Sequence, residues 1–288
     1  MRAKLWLPAI VLMAIVTSGP ARAGNTFFFS TGDPDGKMAM ASRPDSAGKI
    51  EIEAADDFVL TTNTNITSAT FTGLLPTGAS LSDIADVRVE IYRVFPKDSN
   101  FPPDGHVPTR NNSPSDVEFD DRSASAHNLT FTPGIINSSF TSSNSILNGI
   151  SVNSGGDGAV TGQEVRFNVL FSTPFSLAAD HYFFVPQVQL SSGDFFWLSA
   201  PKPIVPPGTS FPEGFTDLQT WTRNENLDPN WLRVGTDIVG GSPAPQFNAA
   251  FSVAGTSAAP EPSSVILLGL GALGLLGAAG LRGRRATA

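Results

Sequence analysis

The feature that most constrains this chain is the alternation of apolar and polar residues in short runs. In residues 87–95, Val87, Val89, Ile91, Arg93 and Phe95 fall on one side of an extended backbone. Arg88, Glu90, Tyr92 and Val94 fall on the other. A period of two is that of a half-buried β-strand, and a helix needs a period near 3.6. Arg93 interrupts the apolar side near its end. Similar runs predict strands over 25–30, 50–54, 58–61, 66–74, 129–131, 146–152, 164–171, 181–190, 195–199, 231–235 and 247–253. Turn chemistry separates them, as in Gly32-Asp33-Pro34-Asp35-Gly36 and Gly155-Gly156-Asp157-Gly158. Helical periodicity is confined to a turn or two at 81–86 and 216–221. Many short strands with frequent turns predict an all-β fold: a single β-sandwich, jelly-roll-like, over residues 24–253. A short linker over 254–259 is expected to follow.

Two stretches resist the strand pattern. Residues 96–125 are polar and carry Asn111-Asn112-Ser113-Pro114, so they read as a long loop. Residues 200–230 contain Pro201, Pro203, Pro206, Pro207 and Pro212, which cannot donate to a central ladder.

The chain has 288 residues and no cysteine, which excludes thiol catalysis and thiolate metal sites. A body of this size buries enough apolar surface to fold without disulfides. Between the two ends the chain carries 12 basic and 25 acidic residues, a net charge of −13. Such a surface repels phosphate backbones and argues against nucleic acid as a partner.

The ends differ from the body. Residues 1–23 have the three parts of a secretory signal peptide. These are Arg2 and Lys4, an apolar run over 5–16, and a small-x-small cleavage pattern at Ala21-Arg22-Ala23. Cleavage after Ala23 is expected, and an uncleaved anchor is the other reading. At the far end, Pro260-Glu261-Pro262 precedes an uncharged run over 265–281 and then Arg282, Arg284 and Arg285. As a helix that run spans about 25 Å, adequate for a thin bilayer. The arginines are expected on the cytoplasmic side, which puts the body outside.

This tripartite end resembles the PEP-CTERM sorting signal of Gram-negative bacteria, in which a Pro-Glu-Pro motif, a membrane helix and a basic end are recognised by an exosortase. The resemblance covers residues 260–288. It implies tethering in the inner membrane, cutting near Pro260–Pro262, and transfer of the body to the cell surface or exterior, often alongside exopolysaccharide. A simple single-pass anchor is the alternative. The segments 55–60, 66–73 and 89–92 are also similar to uncharacterised extracellular β-sandwich domains that accompany such tails, which imports no activity.

Three ligand or activity readings follow from the body itself. Asp33 and Asp35 in a tight turn, with Asp56 and Asp57 before a strand, offer carboxylates for Ca²⁺ at a sandwich rim, although no EF-hand loop is complete. Turn chemistry alone also accounts for Asp33-Pro34-Asp35-Gly36. Trp221 and Trp231 flank a polar cluster from Arg223 to Asn230, a composition suited to binding glycan. Their alternative role is to pin a long loop to the core. A catalytic motif is missing: His106, His127 and His181 lie far apart, with no metal-ligand spacing and no nucleophile elbow. A non-enzymatic surface protein is therefore expected, with a carbohydrate-binding module or a glycan-active enzyme using unrecognised carboxylates as alternatives.

Overall fold

Fifteen strands in two sheets make up the described residues of the computed structural model, which are 25–46, 48–100 and 107–257. The expected signal peptide with Ala21 and Ala23, the Pro260–Pro262 motif, the apolar run 265–281, its three arginines and His106 lie outside them. Among the described residues no helix is long and apolar enough to cross a membrane.

The nine-stranded sheet contains β1 (Thr26–Ser30), β2 (Met38–Ala41), β4 (Thr64–Pro76), β7 (Leu129–Ser142), β8 (Asn144–Ile146), β9 (Val160–Leu177), β11 (Phe196–Ala200), β14 (Asn248–Ala249) and β15 (Phe251–Ser257). The six-stranded sheet contains β3 (Ile52–Leu60), β5 (Ile84–Arg93), β6 (Asp120–Ser123), β10 (Asp180–Leu190), β12 (Trp221–Asn224) and β13 (Leu232–Arg233). All pairings are antiparallel except β2 with β8. Hairpins and short returns give this pattern, since parallel strands need long crossovers.

Aromatic side chains from alternate positions fill the space between the sheets. Phe71 of β4 stacks on Phe167 of β9 at 4.7 Å, and Phe184 of β10 stacks on Phe251 of β15 at 5.1 Å. Phe195 meets Phe71 and Phe167 edge-on, and Trp197 donates its indole N–H to Ala250 O at 2.9 Å. Each such ring removed from water stabilises the fold by about 1.5–3 kcal/mol.

The expected alternation in β5 is present, with Val87, Val89 and Ile91 in this core. Its other side departs from expectation. Glu90 and Tyr92 are each only 2% exposed, and all nine residues of β3 are buried. The cause lies in the two proline-bearing stretches, which cross the outer face of the six-stranded sheet. A second apolar cluster forms there from Ala55, Tyr92, Phe183, Leu218, Trp221 and Trp231.

Several boundaries also shift. The expected strands 50–54 and 58–61 are one strand, β3, and the expected strand 129–131 continues to Ser142. The predicted helical turn at 216–221 is absent: Thr216–Thr220 is irregular and Trp221 opens β12. A π-helical turn, Val234–Val239, replaces the end of the strand expected at 231–235. The segment expected as a linker begins as strand, because β15 pairs with β4 as far as Ser257.

Candidate functional site

The four candidate calcium ligands are not brought together. Asp33 pairs with Arg166 at 3.0 Å. Asp35 accepts the Ser199 hydroxyl at 2.5 Å and the Lys37 backbone N–H at 3.1 Å. Asp56 and Asp57 sit inside β3 and not in a rim loop, so the pleat sends their carboxyl groups to opposite faces. Among the described residues no three acidic, histidine or cysteine side chains are placed to hold a metal ion.

On the inner face Asp56 accepts the Ala249 N–H at 2.8 Å, which ties β3 to β14 of the other sheet. On the outer face Asp57 accepts the Leu218 N–H at 3.1 Å and meets His181 Nε2 at 2.5 Å. Lys202 completes this group: its ammonium donates to the carbonyls of Asp217 and Leu218 and pairs with the Asp217 carboxylate at 2.8 Å. Burial holds both β3 carboxyls well above the usual carboxylate range, helped by Asp57 for Asp56 and by Asp217 for Asp57. Burial also lowers His181 to about 4, against the pull of Asp180 and Asp217. Both directions favour a neutral pair, with the proton on Asp57 and an uncharged His181 ring. This group pins residues 201–218 to the sheet.

A second polar network lies further along the same face. Tyr92 donates to Glu53 Oε1 at 2.7 Å, and Arg223 bonds Glu53 Oε2 while its Nη2 donates to the Tyr92 oxygen at 3.0 Å. Arg223 also reaches Asp228 at 2.6 Å and Asp116 O at 3.0 Å. Its guanidinium carbon lies 4.4 Å from the centre of the Trp231 ring, a cation–π contact. Glu90 is pushed well up by burial and by the nearby Glu53, and Arg88 bonds it at 2.8 Å. Gln187 donates to Glu51 at 2.8 Å, and burial followed by Glu53 raises Glu51.

Neither tryptophan offers a free ring to a sugar. Trp231 is fully buried and donates its indole N–H to Ser115 O at 3.1 Å, and Trp221 is 2% exposed. Both rings, read from sequence as a glycan platform, pack in the apolar cluster on the outer face of the six-stranded sheet. Trp221 does form part of the wall of a shallow cavity of about 250 Å³, shared with Asn111, Asp217, Gln219, Arg233 and Gln246.

No family model, curated protein or solved structure matches this chain.

Sequence reasoning missed Glu53, Glu90, Tyr92, Arg223, Lys202 and Asp217 as a set. One signal was available. Glu51, Glu53, Ala55 and Asp57 alternate on one side of a run whose other side, Ile52, Ala54, Asp56 and Phe58, is apolar except for Asp56. They look like a solvated face until the loops that cover them are placed. His181, unassigned from sequence, joins Asp57, whereas His127 occupies a turn at φ 59°.

Proposed function

We propose that this chain is an exported surface or extracellular-matrix protein, delivered by its PEP-CTERM-like tail and working by contact and not by catalysis. The observation that carries the reading is the order Pro260-Glu261-Pro262, uncharged run, Arg282-Gly283-Arg284-Arg285. A membrane helix with a basic flank is held arginine-inward, which leaves the acidic sandwich outside. The net charge of −13 keeps such a domain soluble and unattached to nucleic acid. The deepest carboxyls support a non-catalytic role, because Asp57 holds a loop to its sheet and Asp56 holds the two sheets together. Asp56 and Asp57 face opposite ways, so they do not form the facing pair that glycoside hydrolysis uses. An exosortase-type protease and the inner membrane are the partners this reading requires, and exopolysaccharide is its expected surroundings.

The test is expression of the full chain, tagged within the body, in a Gram-negative host that has an exosortase and in the same host without it. The expected result is a body ending near Pro260–Pro262 at the surface or in the medium, in the first host only. Glu261→Ala should leave the full-length form in the inner membrane. A full-length membrane form in both hosts would overturn the sorting reading, and an uncut chain in the cytoplasm would overturn export.

A further inference from the structure

The outer faces of the two sheets are treated differently. Loops cover that of the six-stranded sheet. On the face formed by β1, β15, β4, β9 and β7, Thr132, Asn168 and Leu170 are exposed, while Ser252 is buried and the 205–209 loop borders the Ser30 end, with Thr209 N–H bonded to Ser30 O at 2.7 Å. The pairing register sets its side chains in straight rows across five strands. One row runs Ser30, Ser252, Thr70, Asn168, Thr132. The neighbouring row runs Phe28, Ala254, Ser68, Leu170, Thr130. At a strand spacing near 4.8 Å, each row is about 19 Å long.

The chemistry of this face is specific. The first row consists entirely of hydroxyl and amide side chains, and Thr70 and Ser252 share a hydrogen bond of 2.7 Å that fixes their orientation. Phe28 stands 58% exposed at one end of the second row, although its neighbour Phe29 is buried in the core. A groove of about 340 Å³ opens beside Phe28, with Thr72, Arg166 and Pro207 on its walls. The charge it contains is internally matched, since Arg166 pairs with Asp33.

We propose that this face binds an extended, uncharged polysaccharide lying along the rows, with one sugar ring against Phe28. Hydroxyl and amide side chains both donate and accept, as sugar hydroxyls do. The exposed Phe28 ring supplies the flat apolar surface that the C–H side of a sugar covers. A shallow groove along Ser30, Ser252 and Thr70 that continues onto the exposed side chains of Asn168 and Thr132 suits a chain that makes several weak contacts, and a small ligand would need fuller enclosure. A protein partner fits less well. Phe28 and Leu170 are three strand spacings apart, about 14 Å, and do not form the contiguous apolar centre of a protein interface. An anionic polysaccharide is disfavoured by the net charge of the body. The proposal takes its setting, outside the cell, from the function proposed above, but binding is measured on purified protein wherever it was found.

The experiment is native affinity electrophoresis of the exported protein, purified from expressing cells, in gels containing hydroxyethyl cellulose, dextran or alginate. Retardation is expected in at least one neutral gel. Phe28→Ala and Asn168→Ala should each weaken it about threefold to tenfold, the effect of one lost aromatic or polar contact. Both side chains point to solvent, so the thermal midpoints should stay at the wild-type value and separate lost binding from lost folding. Phe119→Ala, at an exposed ring outside this face, should bind as wild type. Four outcomes would overturn the proposal. These are no retardation in either neutral gel, retardation by alginate alone, retardation that survives both variants, or a sedimenting dimer that Phe28→Ala dissociates. The last would assign the face to a second copy of the chain. A protein that is sorted but not retarded loses this inference and keeps its proposed delivery. One that is retarded but never cut at the tail does the reverse.

Discussion

Asp56 and Asp57 are neighbours in the chain whose carboxyl groups do separate work: Asp56 holds the Ala249 N–H across the inter-sheet core, and Asp57 holds the Leu218 N–H beneath a loop. Asp56→Ala leaves a buried N–H without its acceptor, which costs about 1–3 kcal/mol. Asp57→Ala should lose a similar amount and in addition loosen residues 201–218. Urea unfolding measures the first, and hydrogen exchange at Leu218 reports the second. Because each carboxyl has a protein partner, chelator should leave the thermal midpoint of the wild-type protein unchanged. A rise with added Ca²⁺ would restore the metal reading.

Arg223 is the cation on which the Glu53 network depends, with Glu53, Tyr92 and Asp228 all bonded to it. Removing it strands Glu53, which is 3% exposed, without its counter-ion. Arg223→Ala is expected to destabilise the protein by about 3–5 kcal/mol, as for other broken buried pairs. Arg223→Ala combined with Glu53→Gln should recover part of that loss. A double-mutant cycle by denaturant unfolding checks both.

The pH dependence has two arms. Asp56, Asp57 and Glu90 have native pKa values raised by burial, so their contribution is complete below the ordinary carboxylate range and is lost as pH rises through the raised values. His181, lowered from 6.5 to about 4, contributes fully above pH 6.5 and loses that contribution as pH falls toward 4. The windows overlap between about pH 4 and 6.5, where three carboxyls outweigh one imidazole, so stability should fall as pH rises from about 4. Asp57→Asn is expected to make that fall shallower, and His181→Gln to make it steeper. Thermal midpoints between pH 3 and 9 give the profile, and a midpoint that climbs steadily to pH 9 would contradict it.

Gly73 makes room for the central ring of the core. A β-carbon there would lie 2.3 Å from the Phe195 ring and 2.4 Å from Phe196 O. Gly73→Ala should destabilise by about 2–3 kcal/mol, the scale of overpacking in a closely filled interior. Gly78→Ala tests whether the cost comes from crowding or from backbone conformation. Gly78 has open space around it but a φ of +98°, so its penalty arises from the backbone alone. Urea midpoints of the two variants, with near-ultraviolet circular dichroism for Phe195 packing, separate these causes.

Local pattern determined much about this protein. The two-residue period in β5 and the turn residues around Asp33 and Gly155 specify an all-β chain, because strand geometry and turn chemistry act over a few residues. The outward and inward sides of β5 and β9 could be read in the same way. Only the tertiary structure decided what each polar side meets. Glu53, Glu90 and Tyr92 alternate as a solvated face would, yet residues 107–119 and 201–231 cover them. The row headed by Ser30, built of equally polar residues, stays exposed at Asn168 and Thr132. The difference arises from contacts between residues more than a hundred positions apart, such as Trp231 with Ser115 and Asp57 with Leu218. No period within one strand encodes which loop will cross it.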